Sequence, residues 1–102
     1  MKKIISGKIY NTDTATFIGN RQHSNRGDFQ FEDTDLYRTP KGAFFVQGTG
    51  GAYSRWSKPC GSNGMSGGHG IQAMSATEAL AWCEDAGIDA DVIAAFFTVV
   101  EA

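Results

Sequence analysis

The sequence predicts an α+β fold in which an antiparallel sheet of four to five strands, built as two hairpins, is packed on one side by two C-terminal helices. Three observations predict it. Short apolar runs separated by turn residues occupy roughly the first half of the chain, a Thr39-Pro40-Lys41-Gly42 turn joins two of them, and the capping residues Ser75 and Asp89 come late. Strands first and helices last argue for segregated layers, because a doubly wound sheet would alternate the two. The chain has 102 residues, 41% of them apolar, with seven Phe, three Tyr and two Trp. Residues 1–102 are therefore expected to form a single domain that buries roughly 60–70% of its unfolded surface in one core.

Residues 3–10 and 15–22 are short apolar segments separated by Asn11-Thr12-Asp13-Thr14, and they predict a first hairpin. Residues 23–34 are polar and predict a loop with a partial edge strand, in which Phe29 and Phe31 share one face. Leu36-Tyr37-Arg38 and Ala43-Phe44-Phe45-Val46 then flank the Thr39–Gly42 turn. Proline at its second position presets φ and glycine at its fourth accepts the left-handed exit, so a second hairpin is expected. Gly48-Thr49-Gly50-Gly51 reads as a strand break, residues 52–56 as one more strand, and 57–70, with five glycines, as irregular.

Ser75-Ala76-Thr77-Glu78 has the spacing of a capping box, and Ala76, Ala79, Leu80, Trp82, Cys83 and Ala86 fall on one arc of the helix it opens. Gly87 is placed to end that helix in a left-handed cap. Asp89 caps a second helix, whose Val92, Ile93, Phe96, Phe97, Val99 and Val100 form its apolar face.

Charge is distributed unevenly. All nine lysines and arginines lie between Lys2 and Lys58 with five acids among them, a balance of +4; the remaining 44 residues carry six acids and no base, a balance of −6. Such asymmetry points to charged partners. On the basic side Arg38, Lys41, Tyr53, Arg55 and Trp56 are the candidate contacts; on the acidic side they are Glu84, Asp85, Asp89 and Asp91. Glu84 and Asp85 sit in the last turn of the first predicted helix, where the macrodipole disfavours negative charge. Either a sheet arginine compensates them or they face a basic partner.

Other chemistries find less support in the residues. The glycine-rich stretch 61–70 lacks both the Gly-Lys-Ser/Thr ending of a Walker loop and the Gly-x-Gly-x-x-Gly of a dinucleotide fingerprint. Cys60 with His69, or Ser54 or Ser66 with a histidine, lack a third orienting group, and Glu32-Asp33-Thr34-Asp35 reads as a solvated turn. Cys60, Cys83, His23 and His69 lack paired zinc-ligand spacing. Arg26-Gly27-Asp28 matches an adhesion tripeptide by letter only. No catalytic residue, metal or cofactor is expected. The apolar run after Met1 stops at Ser6, and no run approaches the length of a membrane span, so the expected compartment is the cytoplasm of a bacterial host cell.

Asp35-Leu36-Tyr37-Arg38-Thr39, Lys41-Gly42-Ala43-Phe44-Phe45, Gly48-Thr49-Gly50-Gly51, Ser54-Arg55 and Ser75 to Trp82 together resemble a group of small uncharacterised proteins of bacteria and their mobile elements. The resemblance implies an interaction protein of the phage-inhibitor class, such as an anti-CRISPR protein, that blocks a host protein or ribonucleoprotein complex stoichiometrically. Two alternatives stand beside it. A basic, aromatic sheet could bind single-stranded nucleic acid directly, or the loop 61–70 could close over a small ligand in an enzyme.

Overall fold

The computed structural model describes residues 1–25, 27–62 and 64–102. Arg26 of the tripeptide and Asn63 of the glycine-rich stretch lie outside the described residues. The strands are β1 (Lys2–Ile5), β2 (Lys8–Asn11), β3 (Thr16–His23), β4 (Glu32–Arg38), β5 (Phe44–Gly50), β6 (Lys58–Cys60), β7 (Gly64–Ser66) and β8 (Gly68–Met74). The helices are α1 (Ala76–Ala86) and α2 (Ala90–Phe96). A four-stranded antiparallel sheet of order β3-β4-β5-β8 is the centre; β1-β2 and β6-β7 are separate two-stranded ribbons.

Alternation along β4 and β5 sends side chains to two different cores. On one face Ile18, Leu36, Phe44, Val46 and Trp56 meet Ala79, Trp82 and Cys83 of α1, with Val92, Ile93, Phe96 and Phe97 packed at the margin. On the other, Phe45 and Ile71 meet Tyr10 of the first ribbon. The Tyr10 and Phe45 rings contact edge to face at 5.5 Å. Both helices therefore cover one side of the sheet, as the order of elements predicts, and the N-terminal ribbon covers part of the other.

The second hairpin forms as its turn chemistry predicts: Arg38 pairs with Phe44 and Gly42 takes a φ of 92°. The capping box is complete as well. The Glu78 amide donates to Ser75 Oγ at 3.1 Å, the Ser75 amide donates to Glu78 Oε1 at 2.9 Å, and Gly87 closes the helix at φ 70°.

Several local expectations are corrected. Residues 3–10 do not pair with 15–22; instead Ile5 pairs with Lys8 around Ser6 and Gly7, at φ 51° and 78°, which satisfies the positive-φ requirement of a type I′ turn. Residues 11–14 turn the chain from the ribbon into β3, which pairs with β4. Phe29 and Phe31 do not share a face, since turns from Asn25 to Asp28 and from Asp28 to Phe31 bend the chain between strands; Phe31 is buried and Phe29 exposed. Residues 52–56 form turns, because Ser54 Oγ donates to the Gly51 carbonyl at 2.8 Å and accepts from the Trp56 amide at 3.2 Å, competing with a ladder. Residues 57–70 hold β6, β7 and the start of β8. Finally, α2 stops at Phe96 because Phe97 turns extended and stacks on Phe44 at 4.8 Å, leaving Val99 and Val100 exposed.

Gly48 and Gly70 are opposite each other in β5 and β8, and together they seat Trp56. A β-carbon at Gly48 would lie 2.7 Å from Trp56 Nε1, while one at Gly70 would just touch the ring at 3.8 Å. The sequence Gly48–Gly51 is thus not a strand break: β5 runs through Gly50, and its missing side chains make room for the indole.

Candidate interaction surface

The nine residues singled out by charge and aromaticity do not form one surface. Trp56, expected among the exposed contacts, is 3% exposed; its indole nitrogen donates to Thr34 Oγ1 at 2.9 Å, and its ring belongs to the helix-side core. The physical reason is the glycine seat described above. Arg38 and Lys41 are exposed at the turn end of the β4-β5 hairpin, Tyr53 and Arg55 in the loop after β5, and Glu84, Asp85, Asp89 and Asp91 on the helices.

Asp85 is committed within the molecule. Its Oδ2 lies 2.6 Å from Arg21 on β3, which joins the first helix to the edge of the sheet. The unfavourable position of an acid in the last helical turn is offset by a sheet arginine. Glu84, Asp89 and Asp91 make no ion pair among the described residues. Part of the sequence dipole is therefore neutralised at the seam between layers, and the rest remains outside.

The sheet face away from the helices changes character along its length. Near the ribbon it carries a chain of rings, Phe17 on Tyr37 at 5.9 Å, Tyr37 stacked on Phe45 at 5.2 Å, and Phe45 on Tyr10. Burial, and then the charge of Asp35, push the Tyr37 phenol up. Farther along, Glu32-Asp33-Thr34-Asp35 is strand rather than turn, so Asp33 and Asp35 emerge on this face. Asn20 Nδ2 donates to both at 2.7 Å, and Gln22 Nε2 donates to Asp33 at 3.2 Å. Two carboxylates on the open part of the sheet oppose a phosphate backbone laid across it.

Among the described residues the most exposed pair of large aromatics in contact is Phe29 with Tyr53, of which only Tyr53 is among the candidate contacts named from charge and aromaticity. Their relative exposures are 67% and 72%, with ring centroids 5.6 Å apart in an edge-to-face arrangement. Both come from loops at the end of the sheet opposite the Thr39–Gly42 turn. The Gly51 amide donates to the Phe31 carbonyl and the Tyr53 amide to the Phe29 carbonyl, each at 2.8 Å, locking the loops side by side. Such proximity requires Gly51, because a β-carbon there would lie 2.5 Å from the Phe29 carbonyl oxygen.

Asp28 orders the loop that carries Phe29. It accepts from Ser24 Oγ and from the Gln30 amide, and these two bonds, in that order, hold its carboxyl below the usual range. A signal for this arrangement was present in the sequence as an Asx turn at Asp28, but its pairing with residues 51–53 is long-range.

Two clefts also mark the surface of the described residues. One, about 730 Å³, lies between the ribbon and the β4-β5 turn, with Tyr10, Pro40 and Ala43 among its lining and Lys8 and Lys41 as its charged groups. The other, about 120 Å³, lies against β8 beside the loop 55–58. Cys60 is exposed and Cys83 buried, and both are free thiols. Burial, then Glu84, push the Cys83 thiol up. Among the described residues no group of three or more His, Cys, Asp or Glu is placed to hold a metal, and no helix is long and apolar enough to cross a membrane. No family model, curated protein or solved structure matches the chain.

Proposed function

We propose that this protein works by docking stoichiometrically on another macromolecule through the Phe29–Tyr53 end of the sheet, as an inhibitor of a host nucleic-acid-handling complex of the CRISPR-effector kind. The observation that carries the docking surface is the pre-ordered aromatic pair. Two rings are held more than half in water by loops that are tied by backbone hydrogen bonds, so little conformational entropy remains to be lost on binding. Aromatic anchors of this kind dominate interface energetics, and truncating one costs about 2 kcal/mol or more. The partner class is supported by the sequence resemblance.

The test is an inhibition titration. Purified effector complexes of different types, assayed for target cleavage, are mixed with increasing protein; the reading requires that one of them lose activity with an endpoint near one protein per complex. Inhibition of none, or inhibition that continues to grow far beyond equimolar protein, would sink it.

A further inference from the structure

The 120 Å³ cleft against β8 is lined by Lys3 of β1, by Arg55, Trp56, Ser57 and Lys58 of the loop before and into β6, and by His69, Gly70, Ile71 and Gln72 of β8. Four of these nine residues are basic and none is acidic, in a chain whose net charge is −2. The bases come from three separate segments, so their meeting is a product of the fold and not of a charged run.

The cleft is also built rather than incidental. Trp56, buried between Arg55 and Lys58, anchors the loop in the core, and Gln72 Nε2 donates to the Arg55 carbonyl at 3.3 Å, fastening the loop to the strand. Gly68 admits the stem of Lys58, whose Cγ lies 2.9 Å from where a β-carbon would stand. Arg55 also feels the carboxylate of Glu78, but that group is already spent on the capping box.

We infer that this cleft is a binding site for a phosphomonoester group. Its volume, about 120 Å³ and open to solvent, admits a phosphate-sized anion whose attached group would project outward. Arginine offers a planar fork and lysine a point charge to phosphate oxygens. Three permanent cations and a histidine match a dianionic monoester better than the single charge of a diester in a backbone. Neither Phe29 nor Tyr53 lines the cleft, and the inference does not rest on the docking reading.

Binding is measured at low salt by calorimetry with inorganic phosphate, O-phosphoserine and a nucleoside 5′-monophosphate, which separate a free phosphate from a protein-borne or nucleotide-borne one. Saturable binding of at least one is expected, weakened tenfold or more by Arg55→Gln and by the pair Lys3→Gln and Lys58→Gln. Because all three side chains are exposed, the melting temperature should not move. Lys8→Gln with Lys41→Gln, which removes equal charge elsewhere, should leave affinity within about twofold. Three results overturn the assignment: no saturable binding of any probe, an equal loss in the Lys8/Lys41 control, or an oligonucleotide without a terminal phosphate binding as tightly as one that has it.

Discussion

Trp56 and Trp82 are both buried against the helix-side core, yet their indole nitrogens are treated differently. Trp56 Nε1 donates to Thr34, whose own hydroxyl donates to Glu32 Oε2 at 2.9 Å, whereas Trp82 Nε1 has no acceptor among the described residues. Replacing Thr34 with Val leaves a buried donor unpaired, which costs about 1–3 kcal/mol. Chemical denaturation of Thr34→Val should show that loss. Trp82→Phe removes no hydrogen bond, so its cost should be that of packing alone and smaller than that of Trp56→Phe; the reverse order would contradict the reading of the indole seat. The glycines at 48 and 70 were visible in the sequence only as breaks, because what fills their space is a side chain eight residues after the one and fourteen before the other. Trp56 was likewise visible as an aromatic near bases, but its burial depends on that cross-strand pairing.

Elements differ in how local their causes are. The capping box of α1 and the Pro40–Gly42 turn each rest on four consecutive residues, and both form where the sequence places them. Ser75→Ala should lower stability by about 1 kcal/mol. Hydrogen bonds from the Ser75 backbone, then its side chain, hold the Glu78 carboxyl below its usual 4.5. A depressed folded value means the contribution is complete above the unfolded value and is lost as pH falls through the folded one, so the stability lost in Glu78→Ala should shrink in melts taken below pH 4.5. Ser6-Gly7 is an equally local turn signal, outweighed in the sequence by the longer Asn11–Thr14 turn. The edge of β3 is a different case, since no spacing rule leads from Arg21 to Asp85. That ion pair is about one-third exposed on one side and two-thirds on the other, so Asp85→Asn should change stability by less than about 1 kcal/mol, and less still in high salt.

At the scale of the whole molecule, 47 × 32 × 20 Å along its principal axes, the sequence polarity becomes a layered one. Among the described residues every lysine and arginine lies in the strands or in the loops between them, the helices hold four of the six acids beyond residue 58, and the Arg21–Asp85 pair joins the two layers. The layer order was legible because it follows from which residues alternate and which recur at helical spacing. The Phe29–Tyr53 contact was not, because the two residues are 24 apart in sequence and meet only after β4 and β5 have paired between them. The sheet itself, with Asp33 and Asp35 on its open face, is poorly suited to the phosphate backbone that its aromatic content suggested.

The central claim is that the Phe29–Tyr53 pair binds a partner and contributes little to folding. Its most direct measurement compares Phe29→Ser with Tyr53→Ser, together, against the unaltered protein in affinity for the inhibited complex and in thermal stability. The account predicts a loss of at least about 30-fold in affinity, the equivalent of 2 kcal/mol, with a melting temperature shifted by no more than a few degrees. Unchanged affinity in a folded double variant would contradict it.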